Sequence, residues 1–76
     1  MNKKDKLRKI LIEVLELDAK NLPEIINVDN SEKWDSIGHY QIIEKLENEF
    51  NLEIEASVVV ELLGEEEILN YLNKNL

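Results

Sequence analysis

Five aliphatic side chains, Leu7, Ile10, Leu11, Val14 and Leu15, recur at intervals of three and four residues with charged groups between them. This periodicity constrains the fold more than any other feature, because it gathers the apolar groups on one stripe of an α-helix that must be buried against another element. It predicts a first helix over about residues 3–17. A second stripe, Ile42, Ile43, Leu46 and Phe50, predicts a helix that begins at Ser36 and ends near Asn51, with Gln41, Glu44, Lys45, Glu47 and Asn48 largely outward. Val58, Val59, Val60, Leu62 and Leu63 form a short apolar group. Three valines suit a strand by propensity, but no other segment alternates with period two, so a strand would have no partner. The expectation is a short third helix over about residues 57–62. Gly64 and the acidic triplet Glu65 to Glu67 suit the positive N-terminal end of a last helix, whose inner face is Ile68, Leu69 and Leu72 with Tyr71 beside them.

Between the first two helices the periodicity lapses from Asp18 to Trp34, where Pro23, Asn27, Asp29, Asn30 and Ser31 supply turn chemistry. So long a connection in so small a chain tends to be functional or to carry packing of its own. Leu22, Ile25, Ile26 and Val28 are available to pin it to the core, and one or two turns of irregular helix are expected within it. The whole reads as one all-α domain over residues 1–76, a four-helix bundle with a long loop between helices one and two and a short third helix.

Seventy-six residues leave little room for the buried cleft of an enzyme, and a single core of this size contributes only a few kcal/mol of net stability. With no cysteine there is no disulfide framework, thiolate metal site or cysteine nucleophile. The net charge of −8 is uneven: residues 1–9 hold five cations and one acid, and the remainder four cations and sixteen acids. Such a surface repels nucleic acid and steers basic protein partners toward it, although an acidic surface also simply keeps a small protein in solution. The basic start, Lys3, Lys4, Lys6, Arg8 and Lys9, is followed by an apolar run that Glu13 interrupts, so no signal peptide is expected. No uninterrupted apolar segment approaches the roughly 18 residues of a membrane span. A cytoplasmic monomer is expected.

The inventory for chemistry is thin. His39 is the only histidine, and nothing in the spacing of the carboxylates places metal ligands around it. Ser36 and His39 lie three apart on one helix, yet a nucleophilic pair also needs an orienting group and an oxyanion hole in a dry pocket. No catalytic residue and no metal ligand is expected.

The segment Trp34-Asp35-Ser36-Ile37-Gly38-His39, continued by Glu44 and by Leu46-Glu47-Asn48-Glu49-Phe50, resembles an acyl carrier protein. That family carries an Asp-Ser-Leu tripeptide at the start of its second helix, followed by an acidic and aliphatic pattern ending in Leu-Glu-x-Glu-Phe. Here the tripeptide is Asp35-Ser36-Ile37. The resemblance implies that Ser36 is the attachment point for 4′-phosphopantetheine, taken from coenzyme A by a phosphopantetheinyl transferase. The arm's terminal thiol would hold an acyl group as a thioester, which accounts for a protein without cysteine. It further implies that Asp35 takes part in the cofactor site. Ile37, Gln41, Glu44, Glu47 and Asn48 would form the face that docks on basic patches of acyl-transferring or acyl-activating enzymes, such as those of fatty acid biosynthesis.

The physical setting of Ser36 agrees. A phosphodiester at the first position of a helix meets free backbone N–H groups and the positive helix end, and Asp35 before it is placed as the N-cap. Beside the docking role stand plainer ones: Ile37 tucked against the loop, Glu44, Glu47 and Glu49 as a solvated helix face, Trp34 as a plug, and His39 and Tyr40 at the core entrance. Gly38 at the helix start leaves space for the arm. Ile37 in place of leucine, Lys33 where the family often has glycine, and the dilution of the acidic face by Lys45 and Asn48 look more like carriers dedicated to one specialised pathway, such as surface-polysaccharide, amino-acyl or secondary-metabolite synthesis. The bundle's aliphatic interior could open to shelter a chain. From a different class of function, the same chain would serve as a non-covalent acidic helical adaptor with no prosthetic group.

Overall fold

The computed structural model describes residues 2–76. Four helices follow one another, α1 (Lys3–Leu15), α2 (Ser36–Phe50), α3 (Ala56–Val59) and α4 (Glu65–Asn75), and among the described residues there is no strand. The expected all-α class therefore holds. Helix α1 packs against both α2 and α4. Leu7, Leu11, Ile26, Ile42, Leu46, Ile68 and Leu72 are fully buried between them, so each long helix contributes two of the seven and the loop contributes the other. No described helix is long and apolar enough to cross a membrane.

The ends of the helices show why their limits differ from the periodicity. Helix α1 starts on Asn2, whose side chain accepts the Asp5 amide at 2.8 Å. It stops at Leu15, two residues before the expected end, because Glu16 turns left-handed (φ 53°, ψ 48°) and the Glu16 and Leu17 amides both return to the Ile12 carbonyl. Helix α2 ends in the same way. Asn51 is left-handed (φ 52°, ψ 55°), and the Asn51 and Leu52 amides return to the Glu47 carbonyl. In both turns the following leucine folds back on the core, as helix stops of this kind favour. Helix α3 begins and ends earlier than expected, at Ala56 and Val59. Beyond it the Glu61, Leu62 and Leu63 amides make only short turns, to the Val58, Val59 and Glu61 carbonyls. β-Branched residues in succession crowd a helix and favour such an early end.

The long first loop contains turns and no helical turn, contrary to expectation. Asparagine side chains take the amides that a helix would have used: Asn27 Oδ1 accepts from Asp29 and Asn30, and Asn30 Oδ1 accepts from Asn27. Ile26 is fully buried while Ile25 points outward, so one of the two adjacent isoleucines anchors the loop. Its backbone then pairs with the start of α4 and the residues leading into it, Val28 N–H to Leu63 O at 3.1 Å and Glu65 N–H to Ile26 O at 2.7 Å.

A polar knot beneath that pairing joins three parts of the chain. The Arg8 guanidinium, on α1, donates to both Glu65 oxygens (2.5 and 2.9 Å) and to the Pro23 and Glu24 carbonyls (3.3 and 2.7 Å). Glu65 also accepts the Ile26 amide at 3.2 Å. Burial by itself pushes the Glu65 carboxyl up, but the Arg8 hydrogen bond, the Ile26 amide and the charges of Arg8 and Lys4 outweigh it and hold it below its ordinary value. The knot fixes the far end of the loop whose near end delivers Trp34, Asp35 and Ser36.

Candidate functional site

Ser36 is the first residue of α2 and is exposed. Asp35 before it is the N-cap, with Oδ1 accepting the Gly38 amide at 2.8 Å and its carbonyl accepting from His39 at 2.8 Å. The first amides of a helix have no carbonyl one turn back. Asp35 satisfies that of Gly38, and among the described residues no acceptor is found for those of Ser36 and Ile37. Two free N–H groups and the positive end of a 15-residue helix thus converge beside the serine hydroxyl.

Gly38 has a different reason from the one its place in the sequence suggests. A Cβ there would stand 2.2 Å from the Lys33 carbonyl oxygen, so the loop crosses the first turn of α2 at backbone contact. Gly38→Ala must push the Lys33–Trp34 segment away, with an overpacking cost of about 1–3 kcal/mol that exceeds the roughly 1 kcal/mol alanine gains in helix propensity. A lower urea midpoint with an unchanged m-value is the expected result.

Trp34 is 6% exposed and lies immediately before the N-cap, while His39 is the fourth helical residue after it. These are the two positions between which a side-chain contact commonly fixes how a chain enters a helix. Here the contact is polar as well: the Trp34 indole Nε1–H donates to His39 Nδ1 at 2.9 Å, with the ring planes 27° apart. Because an indole N–H only donates, Nδ1 must accept, and Nε2 carries the ring proton that it gives to the Val59 carbonyl at 2.7 Å. Loop, α2 and α3 are thereby joined through one imidazole, and neither ring nitrogen is left for the Ser36 hydroxyl. The spacing of Trp34 and His39 around an Asp35 cap is the one sequence signal of this chain of bonds, and it does not specify the Val59 partner.

Val28, Trp34, Asp35, Ser36, His39, Val60 and Leu63 line an open cleft of about 320 Å³. Val60 and Leu63, from the segment after α3, leave much of their surface in solvent. So do Ile37, 71% exposed, and Tyr40, which settles the position of Ile37 as outward rather than tucked against the loop.

The five residues grouped as a docking face separate into two sets. Ile37, Gln41, Glu44 and Asn48 follow one another at spacings of four, three and four along a single outward stripe of α2, and the last three line a groove shared with α1. Glu47 lies off that stripe, half-buried, with its carboxylate accepting the Ile54 amide at 2.9 Å. Lys45 beside the stripe is held by Glu13 at 3.1 Å. No group of three or more His, Asp or Glu side chains is arranged as a metal site among the described residues.

No family model matches the chain, and no curated protein matches it at a significant level.

Proposed function

We propose that this protein is a carrier whose Ser36 hydroxyl is esterified with 4′-phosphopantetheine and which presents acyl groups, as thioesters of that arm, to partner enzymes. The observation that carries this reading is the setting of Ser36: an exposed hydroxyl on the first residue of α2, held by the Asp35 cap, beside two unsatisfied amides and on the rim of a cleft with apolar walls. Those features suit a covalently held phosphodiester followed by a partly apolar arm. In the loading reaction Ser36 Oγ forms the phosphoester bond and gives up its proton to the transferase, while the pyrophosphate link of coenzyme A breaks and the adenosine bisphosphate leaves. The protein supplies position and an anion-friendly helix end; the arm supplies the thiol.

The helices in their order, the long first loop and the short α3 support an acyl-carrier type of bundle. His39, with both ring nitrogens engaged, supports a serine that is modified rather than one that acts as a nucleophile in catalysis. For partners, the stripe of Ile37, Gln41, Glu44 and Asn48 supports docking on an enzyme with an apolar contact ringed by basic groups. Glu47 is the least suited of the grouped residues, since one of its oxygens is committed to Ile54. A monomer acting in the cytoplasm, without nucleic acid or membrane insertion, completes the reading.

The test is the intact mass of the purified protein after incubation with coenzyme A, Mg²⁺ and several broad-specificity phosphopantetheinyl transferases. Gain of one phosphopantetheinyl group is expected. No gain, with transferases that load a control carrier, would leave the outward stripe as the surface of a non-covalent adaptor.

A further inference from the structure

The cleft beside Ser36 and the bonds behind it bear on what such an arm could carry. Three groups close the seam between α2 and α3 at the cleft's inner wall: the indole of Trp34, the imidazole of His39 and the carbonyl of Val59, in one unbroken chain of hydrogen bonds of 2.9 and 2.7 Å. To pass a long aliphatic chain from the cleft into the interior, α3 would have to move off α2. That motion breaks the bonds of the half-buried Val59 carbonyl and His39 Nε2–H and, once the ring turns, of the Trp34 indole N–H, and each group loses a partner as the seam opens. The interior of the bundle is already filled by wholly buried side chains, among them Ile42 and Leu46 of α2 and Ile68 and Leu72 of α4. Outside it, the cleft of about 320 Å³ is at the lower end of what encloses a drug-sized ligand, and the arm must share it.

On the carrier reading of Ser36, we propose that the Trp34–His39–Val59 chain bolts α2 to α3 and determines cargo: the protein carries short acyl groups held in the surface cleft, and its interior stays closed to long ones. The walls that such a group would meet are Val28, Val60 and Leu63, with the face of Trp34 behind them. Trp34 and His39 are then specificity-determining residues that act by keeping the seam shut and have no part in loading.

The experiment loads the wild type, His39→Ala and Trp34→Phe from butyryl- and palmitoyl-coenzyme A with a promiscuous transferase, and follows thioester cleavage by hydroxylamine in each product. Trp34→Phe keeps a smaller aromatic plug and removes the indole donor that holds the imidazole in place, so it serves where His39→Ala folds poorly. In the wild type the palmitoyl thioester is expected to be cleaved at least as fast as the butyryl one, since the cleft covers at most the short chain and the closed interior shelters no long one. In the variants the palmitoyl thioester is expected to be cleaved severalfold more slowly than the butyryl one, because the opened seam admits the longer chain. Severalfold protection of the palmitoyl thioester in the wild type would overturn the closed interior, and equal rates in all three proteins would overturn the role of the bolt. Failure of every coenzyme A derivative to load would count against the carrier reading itself, a result separate from both.

Discussion

Ser36→Ala is expected to gain no mass in the transferase reaction, a complete loss, while keeping the helical content and urea midpoint of the wild type. The contrast arises because the hydroxyl makes no hydrogen bond within the described protein and the residue is exposed, so its removal changes stability by no more than about 0.5 kcal/mol. The chain has two other serines, and each has a poor setting for the same chemistry. Ser31 is buried, with its hydroxyl donating to Asn30 Oδ1 at 3.2 Å. Ser57 is exposed but sits within the four-residue α3, whose cap Glu55 makes no side-chain bond. A mass gain retained in Ser36→Ala would move the site away from α2.

The second large effect is on stability. Arg8→Met leaves the buried Glu65 carboxylate, 4% exposed, with its charge uncompensated, whereas Glu65→Gln leaves the Arg8 guanidinium, 23% exposed and within reach of water, and is the milder change. Leaving a buried carboxylate without its cation costs about 3–5 kcal/mol, comparable to the entire stability of a domain this small. Arg8→Met also releases the Pro23 and Glu24 carbonyls, and with them the far end of the first loop. Circular dichroism in urea is expected to show Arg8→Met largely unfolded where the wild type is folded. The sign of the pH dependence follows from the lowered titration of Glu65: its contribution is fully present above the ordinary value of 4.5 and is lost as pH falls through the lower value it has in the folded protein. Acidification should therefore lower the wild-type urea midpoint over that range, and the part due to this carboxylate should be missing in Glu65→Gln.

Glu65 also shows where sequence reasoning stops. It stands in a run with Glu66 and Glu67, and all three suit the first turn of a helix equally well. What distinguishes it is Arg8, 57 residues away, which no local pattern can place beside it. The stripes of α1, α2 and α4 were legible because burial of one helix face repeats every three to four residues, and the Asp35 cap because a short acidic side chain before an apolar stripe is a local signal. The stop of α1 was not, since a left-handed Glu16 carries none of the glycine that usually marks such an end. In the first loop, the hydrogen bonds among Asn27, Asn30 and the backbone replaced a helical turn that composition could not rule out. At the site, the exposure of Ser36 was foreseeable from the helix start, whereas Ile37 could equally have packed against the loop until its 71% exposure fixed it outward. The commitment of Glu47 to Ile54 was not foreseeable, because it depends on how the chain turns after Asn51.

The most direct measurement is fragmentation mass spectrometry of peptides from the protein after incubation with coenzyme A, Mg²⁺ and an active transferase. A single phosphopantetheinyl group on Ser36, with Ser31 and Ser57 unmodified, is the predicted result. A chain that stays unmodified, or one that carries the group on another residue, would contradict the assignment of Ser36 as the point where this protein holds its cargo.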